Sequence, residues 1–254
     1  MSKWVMCTTV LASCFVGSCH PQTSRETGFG EPDKIDVVVV TGGHDFEHDS
    51  FFALFQGCDD IRYVEAAQKD DSELFEDLSL WRYDVVVLYN MTQNISPKRQ
   101  DNFARLLRER GVGVVALHHA LAAFQDWDEY RTIIGAKYPL EPQRIQGVSY
   151  ETGTYKHDVD VNVRVRDGEH PVTRGVSDFQ IHDEVYKGLW FAVDNHILLS
   201  TDHTDSDALI GWARRYGRAR VCAIQLGHDA KAYASPEYCQ LVVNAIRWAA
   251  GDVE

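Results

Sequence analysis

The sequence predicts an α/β domain built on a doubly wound, mainly parallel sheet with helices on both faces. Two observations lead to this class. In the first half of the chain, apolar runs alternate with short helical patterns, and the connections between them are brief. Runs that are apolar throughout are typical of strands buried on both faces of a parallel sheet. The chain has 254 residues, 44% of them hydrophobic and 25% charged, which suits one large globular domain.

The first half supplies four strands and two helices. A short helix is expected over 47–55. A longer helix begins at Ser96–Pro97, because serine is a favoured N-cap and proline suits the first helical turn, and it ends near Gly111. Strand–helix alternation of this kind predicts a parallel sheet whose ligand crevice lies beyond the carboxyl ends of the strands. The expected strands are 35–41, 61–65, 83–89 and 112–117.

The second half is less regular and adds further strands. A short helix is expected over 127–134, and a closing helix over 236–250 carries its apolar residues on one broad face. No repeat, low-complexity tract or linker interrupts 34–250, which favours a single domain. The expected strands are 157–165, 197–201, 208–214 and 219–226, with a shorter extended run at 183–186.

The N-terminus has the pattern of an export signal. Lys3 precedes an apolar run from Trp4 to Val16, which is too short for a permanent membrane span, and small residues then lead to Cys19. This arrangement resembles a bacterial lipobox, in which Cys19 becomes a lipidated N-terminus; plain secretion with cleavage nearby is the alternative. The expected division is a lipoprotein signal peptide at 1–18, a tether at 19–33 and a domain at 34–252. The expected location is the bacterial cell envelope, lipid-anchored or periplasmic.

Charge and cysteine content exclude several classes of partner and site. The formal net charge is −13, and a surface this acidic is a poor partner for nucleic acid. No basic amphipathic helix is evident, so membrane contact is expected only through the lipid on Cys19. The six cysteines contain no CxxC and no paired spacing, which argues against a thiolate zinc site and a disulfide framework. The sequence leaves open whether the protein forms a homo-oligomer.

Four segments place histidines or acids directly after apolar strands or beside them. Imidazole plus carboxylate is a ligand set of zinc and its divalent neighbours, and it also serves acid–base chemistry near neutral pH. No HExxH spacing is present, so any site must be assembled from segments distant in sequence. The segments are Gly42-Gly43-His44-Asp45, Leu117-His118-His119, Ile181-His182-Asp183-Glu184 and Leu226-Gly227-His228-Asp229.

Each segment also has a purely structural interpretation. Gly42–Gly43 can form a tight turn with His44 capping the next helix, Asp183–Glu184 can bind loop amides, and Asp229 can cap a helix. His118 and His119 cannot both point the same way, so one is expected to face the crevice while the other packs or binds backbone. For His157, the sequence does not decide between a role in the site and a purely structural role. Four further histidines are expected on the surface: His48, His170, His196 and His203.

Residues 35–250 resemble the trehalose-utilisation (ThuA-like) family, within the class I glutamine-amidotransferase-like superfamily. Four pieces carry the resemblance: VVVVTGGHDFEHDSFFALF, GVVALHHALAAFQDWDEY, EHPVTRGVSDFQIHDEVY and VCAIQLGHDAKAYASPEYCQLVVNAIRWAAG. The resemblance implies a flavodoxin-like sheet. Amidotransferases carry their nucleophilic cysteine on a sharp turn after a core strand. Here that turn is Leu117-His118-His119-Ala120, so a thiol or hydroxyl nucleophile is excluded at that position.

The resemblance implies a small carbohydrate substrate, a 3-keto-glycoside, cleaved by elimination or hydrolysis with the help of a divalent metal ion, zinc or manganese. The expected metal ligands are His44, His118, His228 and Glu184. Glu184 is alternatively the base, with Asp183 beside it, and His119 and His157 are the other candidates for proton transfer. Two alternatives remain: a carbohydrate-binding or scaffold lipoprotein without catalysis, and an amidase or peptidase, which would need the missing cysteine or serine.

Overall fold

The computed structural model describes residues 34–69 and 71–253. The predicted signal peptide at 1–18, the tether at 19–33 and Cys19 lie outside the described residues. Within this part of the chain, no helix combines the length and the apolar character that a membrane crossing requires.

A nine-stranded sheet organises the molecule. Its strands are β1 (Ile35–Gly42), β2 (Ile61–Ala67), β3 (Val85–Asn90), β4 (Gly113–Leu117), β8 (Thr154–Val165), β9 (Phe179–Lys187), β11 (His196–Ser200), β12 (Leu209–Tyr216) and β13 (Ala219–Ile224). From one edge of the sheet to the other, the order is β2-β1-β3-β4-β13-β12-β11-β8-β9. The first five strands in this order are parallel, and the four that follow are antiparallel to their neighbours. The order of the parallel half is that of flavodoxin-like folds.

Helices cover both faces of the sheet, as the sequence predicts. One face packs against α1 (His48–Phe52), α4 (Ala230–Tyr233) and α5 (Pro236–Ala250). The other packs against α2 (Pro97–Arg105) and α3 (Asp128–Ile134). Ser96 occupies the N-cap position of α2 but makes no side-chain hydrogen bond there. The helix continues as a π-helix over Leu106–Arg110 and ends at Gly111, whose φ of 75° suits a residue without a Cβ.

The strand and helix predictions are confirmed with small shifts of their ends, and four short strands were missed. These are β5 (Ala136–Lys137), β6 (Gln143–Ile145), β7 (Val148–Tyr150) and β10 (Trp190–Phe191). They form two small two-stranded sheets. Segments of two or three residues carry no readable periodicity, because their structure depends on the partner strand rather than on their own sequence.

Strands β8 and β9 form a long antiparallel ribbon that reaches the crevice. β8 pairs with β11 only through Arg164 and Val165, so the rest of β8 is paired with β9 alone. The β8–β9 register shifts between Lys156 and Val159, where His157 and Asp158 together oppose Glu184. This extra residue is a β-bulge, and it lies at the crevice end of the ribbon.

Candidate metal centre

His118 lies on a sharp turn at the carboxyl end of β4. Its φ of 48° is left-handed, a conformation that costs a residue with a Cβ roughly 1–2 kcal/mol. The parallel register of β4 with β13 aligns Leu117 with Ile224, which brings His118 beside Gln225. The His118 Nδ1–H donates to the Gln225 carbonyl over 2.7 Å. That hydrogen bond places the proton of the neutral ring on Nδ1 and leaves the Nε2 lone pair facing the crevice.

Three ligand atoms converge at this turn. The His118 Nε2 lies 2.9 Å from Glu184 Oε2 and 3.1 Å from His228 Nδ1, and the last two atoms lie 2.8 Å apart. Within the described residues, this is the group of histidine and acidic side chains whose spacing can hold a metal ion. His118 and Glu184 are buried, and His228 is partly exposed, so the group is open on one side.

The bulge in β8 places His157 at the same group. Paired residues of neighbouring strands share a face, and a regular register continued back from Val159 would put His157 on the core face of Val159 and Val161. The register shift instead puts His157 opposite Glu184, and its Nδ1 is 3.5 Å from Glu184 Oε1. The ring also packs 4.7 Å from the ring of His228. About half of the His157 side chain is exposed, so His157 forms the lip of the site.

Asp183 lies beneath the ligands and binds backbone amides. Its carboxylate accepts hydrogen bonds from the N–H groups of Gly227 (2.7 Å), His228 (2.9 Å) and Glu184 (2.8 Å). Burial raises the pKa of Asp183, while His118 and the bound amides act in the opposite direction. The side chain is buried and joins the two segments that carry Glu184 and His228, which is a positioning role.

Three tyrosines surround the ligands. The Tyr186 Oη lies 2.8 Å from His118 Nε2, and burial raises the pKa of Tyr186 well above its usual value, so it remains a donor. Tyr89 donates to the Gly227 carbonyl over 2.8 Å, and Tyr233 donates to the His228 carbonyl over 2.9 Å. The hydroxyls of Tyr89 and Tyr233 also lie in contact, although with both protons given to these carbonyls neither hydroxyl donates to the other. The loop that carries His228 is therefore held from both sides.

His119 is not a member of the three-atom group. It is 2% exposed, its ring stacks on that of His44 at 4.6 Å, and it packs 4.3 Å from the ring of Tyr89. Neither ring nitrogen makes a hydrogen bond of normal geometry, and only the nearby Tyr89 carbonyl favours the charged ring. Burial, together with the neighbouring histidines, lowers the pKa of His119 well below its usual value. The ring is therefore neutral at pH 7.

The three ligand atoms lie close enough to need a positive charge between them. Burial opposes ionisation of Glu184, but hydrogen bonds with His118 and His228 outweigh it and lower the Glu184 pKa. The Glu184 carboxylate in turn raises the pKa of His228, against the effect of its partial burial. A carboxylate and two ring nitrogens at 2.8–3.1 Å bring lone pairs together, and only a shared proton or a cation relieves that repulsion.

The donor set fits zinc or a similar divalent ion. Two imidazoles and one carboxylate with an open position is the ligand set of many catalytic zinc sites. Tetrahedral bonds of about 2.0 Å place ligand atoms about 3.3 Å apart, so these three atoms need to separate by only a few tenths of an ångström. The His118–Gln225 hydrogen bond supplies the outer contact that such histidines normally have.

Comparison with known proteins identifies the family. The family model for ThuA, described as trehalose utilisation, matches residues 36–249. The chain belongs to the ThuA family. No curated protein sequence matches it significantly.

Solved structures of ThuA-like proteins share this fold. A ThuA-like protein from Parabacteroides merdae is 18% identical with a TM-score of 0.72, over 86% of this chain and 91% of the other. A second, from Bacteroides uniformis, is 20% identical with a TM-score of 0.63, over 89% and 95%. PurLQS from Thermotoga maritima is 13% identical with a TM-score of 0.51, over 85% and 99%. Identities this low support the fold alone.

The ThuA domain brings most of the predicted site residues together, in different roles. His118, His228 and Glu184 form the three-atom group, and His157 contacts Glu184. His44 is exposed and lies outside the group, with its ring stacked on His119. It does not cap α1, whose N-cap residue is Glu47.

Two structural interpretations from the sequence are confirmed, and one contact was missed. Asp229 caps α4 through hydrogen bonds from Lys231 and Ala232. Asp183 binds loop amides. The contact of Tyr186 with His118 is not predicted from the sequence, although the position of Tyr186 two residues after Glu184 in a strand places both side chains on one face. His182 lies on the opposite side and pairs with Asp160.

Proposed function

We propose that this ThuA-family protein is a metal-assisted enzyme that cleaves 3-keto-glycosides by removing the proton next to the ketone. The observation that carries the proposal is the convergence of His118, His228 and Glu184 at an open crevice, on a turn that lacks a nucleophile. Pure sugar-binding sites seldom bring histidine lone pairs together in this way, whereas enolate chemistry needs a base beside an electrophilic centre.

The chemistry of a 3-keto-glycoside defines what the site must do. The ketone at C3 acidifies the proton on C2. When a base takes this proton, the C2–H electrons form the C1–C2 double bond, and the C1–O bond breaks. The aglycone leaves with that electron pair and takes up a proton. Water that adds back to the double bond gives net hydrolysis.

A bound divalent ion would act as a Lewis acid towards the oxygens on C2 and C3. His118, His228 and Glu184 would hold it. We assign the acceptance of the C2 proton to His157; the support is its half-exposed position at the lip and the 3.5 Å between its Nδ1 and Glu184 Oε1. His119 is the second candidate, since neither of its ring nitrogens makes a hydrogen bond of normal geometry. Asp183 positions Glu184 and His228 from beneath.

The cell envelope is the proposed location. The support is the signal-peptide pattern at 1–18 and the small residues that precede Cys19. Metabolic labelling of cells with a radioactive fatty acid tests it: label on the wild-type protein that disappears in Cys19→Ser supports lipidation. Label-free protein recovered from the periplasm supports plain secretion, and intact protein in the cytoplasm contradicts both.

Metal content is the first test of the proposed site. We expect protein lacking residues 1–19, purified without chelator or added metal, to contain about one zinc, manganese or similar ion per chain by elemental analysis. His118→Ala and Glu184→Gln should lose it. His182→Ala is the matched control, because His182 also pairs with a carboxylate but lies outside the group, and it should keep the metal.

Turnover is the second test. The metal-loaded protein should release the aglycone from a 3-keto-glycoside, observed by NMR, and His157→Ala should slow release by about 10²–10⁴-fold if it is the base. Sugar binding without turnover would support the carbohydrate-binding alternative. A folded protein that binds no divalent ion, together with full turnover by His118→Ala, would refute the proposal.

A further inference from the structure

A second histidine–carboxylate pair joins β2 to the first residue of α1, the helix that follows β1. The His48 Nε2 lies 2.9 Å from Glu65 Oε2. The other carboxylate oxygen, Glu65 Oε1, accepts a hydrogen bond of 2.6 Å from the hydroxyl of the buried residue Thr41. The sequence predicts His48 only as a surface residue, and this pair is separate from the three-atom metal group.

The pair is held rigidly although it is exposed to solvent. Thr41 orients Glu65, Glu65 orients His48, and the His48 ring packs 4.6 Å from Phe52 and 5.8 Å from Phe46. About half of the His48 side chain remains exposed. An exposed ion pair contributes only about 0–1 kcal/mol to stability, and fixing its side chains costs conformational entropy. Stability alone therefore does not account for this arrangement.

A continuous series of ring contacts connects the pair to the metal centre. Phe46 packs 5.2 Å from Tyr89, and Tyr89 packs 4.3 Å from His119, the residue that follows His118 in the chain. The loop after β1 also connects the two groups, because the His44 ring lies 6.2 Å from the ring of His228 and His48 follows four residues later. The pair and the metal centre therefore both adjoin this loop.

We propose that His48 and Glu65 form a binding subsite for the hydroxyl groups of a second sugar ring, the aglycone of a disaccharide substrate. The inference rests on the proposed function and names the substrate class more closely. The partner of His48 Nδ1, Asp49 Oδ1, lies 3.3 Å away on a fully exposed side chain, so a sugar hydroxyl, which can donate or accept, displaces it at little cost. The carboxylate of Glu65 keeps further lone pairs for hydroxyl donors, and the Phe46 ring offers an apolar face.

The test compares two substrates that differ only in the second ring: a 3-keto-disaccharide and the methyl 3-keto-glycoside of the same sugar. The measured quantity is the ratio of their kcat/KM values. We expect His48→Ala and Glu65→Gln to lower the preference for the disaccharide at least tenfold, since the first removes a hydrogen-bonding ring from the subsite and the second replaces an acceptor oxygen by a donor NH₂ group. His182→Ala, the control, should leave the ratio unchanged. An unchanged ratio in both variants with native melting temperatures would overturn the subsite.

Failure of the proposed function gives a different result. In that case the wild-type protein turns over neither substrate. Calorimetric titration of the metal-loaded protein with the unoxidised disaccharide and with the methyl glycoside then replaces the kinetics. Weaker disaccharide binding in His48→Ala, with the difference between the two ligands reduced, supports the subsite without catalysis. Equal affinity of the wild-type protein for both ligands overturns it.

Discussion

Replacement of Asp183 by asparagine should weaken both the fold and the site. The Asp183 carboxylate accepts three backbone N–H groups at 2.7–2.9 Å, with Gly227 on one oxygen and His228 and Glu184 on the other. An asparagine offers a single oxygen, so its NH₂ group would face an amide donor. A buried amide without a partner costs about 1–3 kcal/mol, and two charge-assisted bonds that become neutral lose about 1 kcal/mol each.

Removal of the buried charge offsets part of this loss, because burial raises the Asp183 pKa. The net expectation for Asp183→Asn is about 2–4 kcal/mol, which lowers the melting temperature by roughly 5–15 °C in a domain of this size. Differential scanning calorimetry measures it on the metal-free protein. Metal affinity should also fall, by about 10–100-fold.

Asp160→Asn is the matched control for this prediction. Asp160 lies on the same ribbon but is exposed, and its carboxylate pairs with the side chain of His182. A surface change of this kind stays within about 0.5 kcal/mol. A melting temperature for Asp183→Asn within about 2 °C of the wild type would refute the positioning role of this carboxylate.

Three further predictions concern the supporting structure. Gly227→Ala should be severely destabilising, because the φ of Gly227 is 108° and a Cβ there would lie 2.0 Å from Tyr238 Oη. Gly57→Ala, at a position with open space around it, should cost only about 1 kcal/mol. Urea unfolding of the two variants compares these losses of stability. Cys222 should resist iodoacetamide at pH 8 until the protein is unfolded, because burial raises its pKa to about 12; peptide mass spectrometry that finds it labelled in the native state would contradict this. Arg247 donates two hydrogen bonds to Asp60 and holds the Asp60 pKa below its usual value. The stability that this ion pair contributes is therefore present above the pKa that Asp60 has in the unfolded chain, and it is lost as the pH falls through the lower pKa of the folded state. Asp60→Asn should therefore cost at most about 1 kcal/mol at pH 7, with the difference from wild type shrinking below pH 4; a constant difference would show that the charge is not responsible.

The parallel half of the fold was predictable because its strands carry their own signal. β1, β3 and β4 are each built on an uninterrupted apolar run (37–40, 85–88 and 114–117), and burial on both faces requires such runs. The closing helix α5 runs over the predicted residues, since its proline start and apolar face are local features. The short strands β5 and β10 pair with each other across more than fifty residues, and no local pattern encodes such a contact.

The candidate site was predictable in its residues and not in its geometry. Strand ends in one parallel sheet meet at one edge, so His118 and His228 could be expected to lie close together. The choice between His118 and His119 depends on the register of β4 with β13, which puts the Gln225 carbonyl beside His118. The approach of His157 depends on one extra residue in β8, and a strictly alternating sequence does not reveal it.

That bulge sets two residues against one position, Glu184, on the partner strand. Strand faces alternate with a period of two, so a strand one residue shorter between Lys156 and Val159 keeps the β8–β9 pairing on either side and leaves a single residue opposite Glu184. Loss of Asp158 keeps the imidazole of His157 there, and loss of His157 replaces it by a carboxylate. Relatives that differ by this one residue would share this fold, and the identity of the lost residue would decide whether the crevice carries this imidazole.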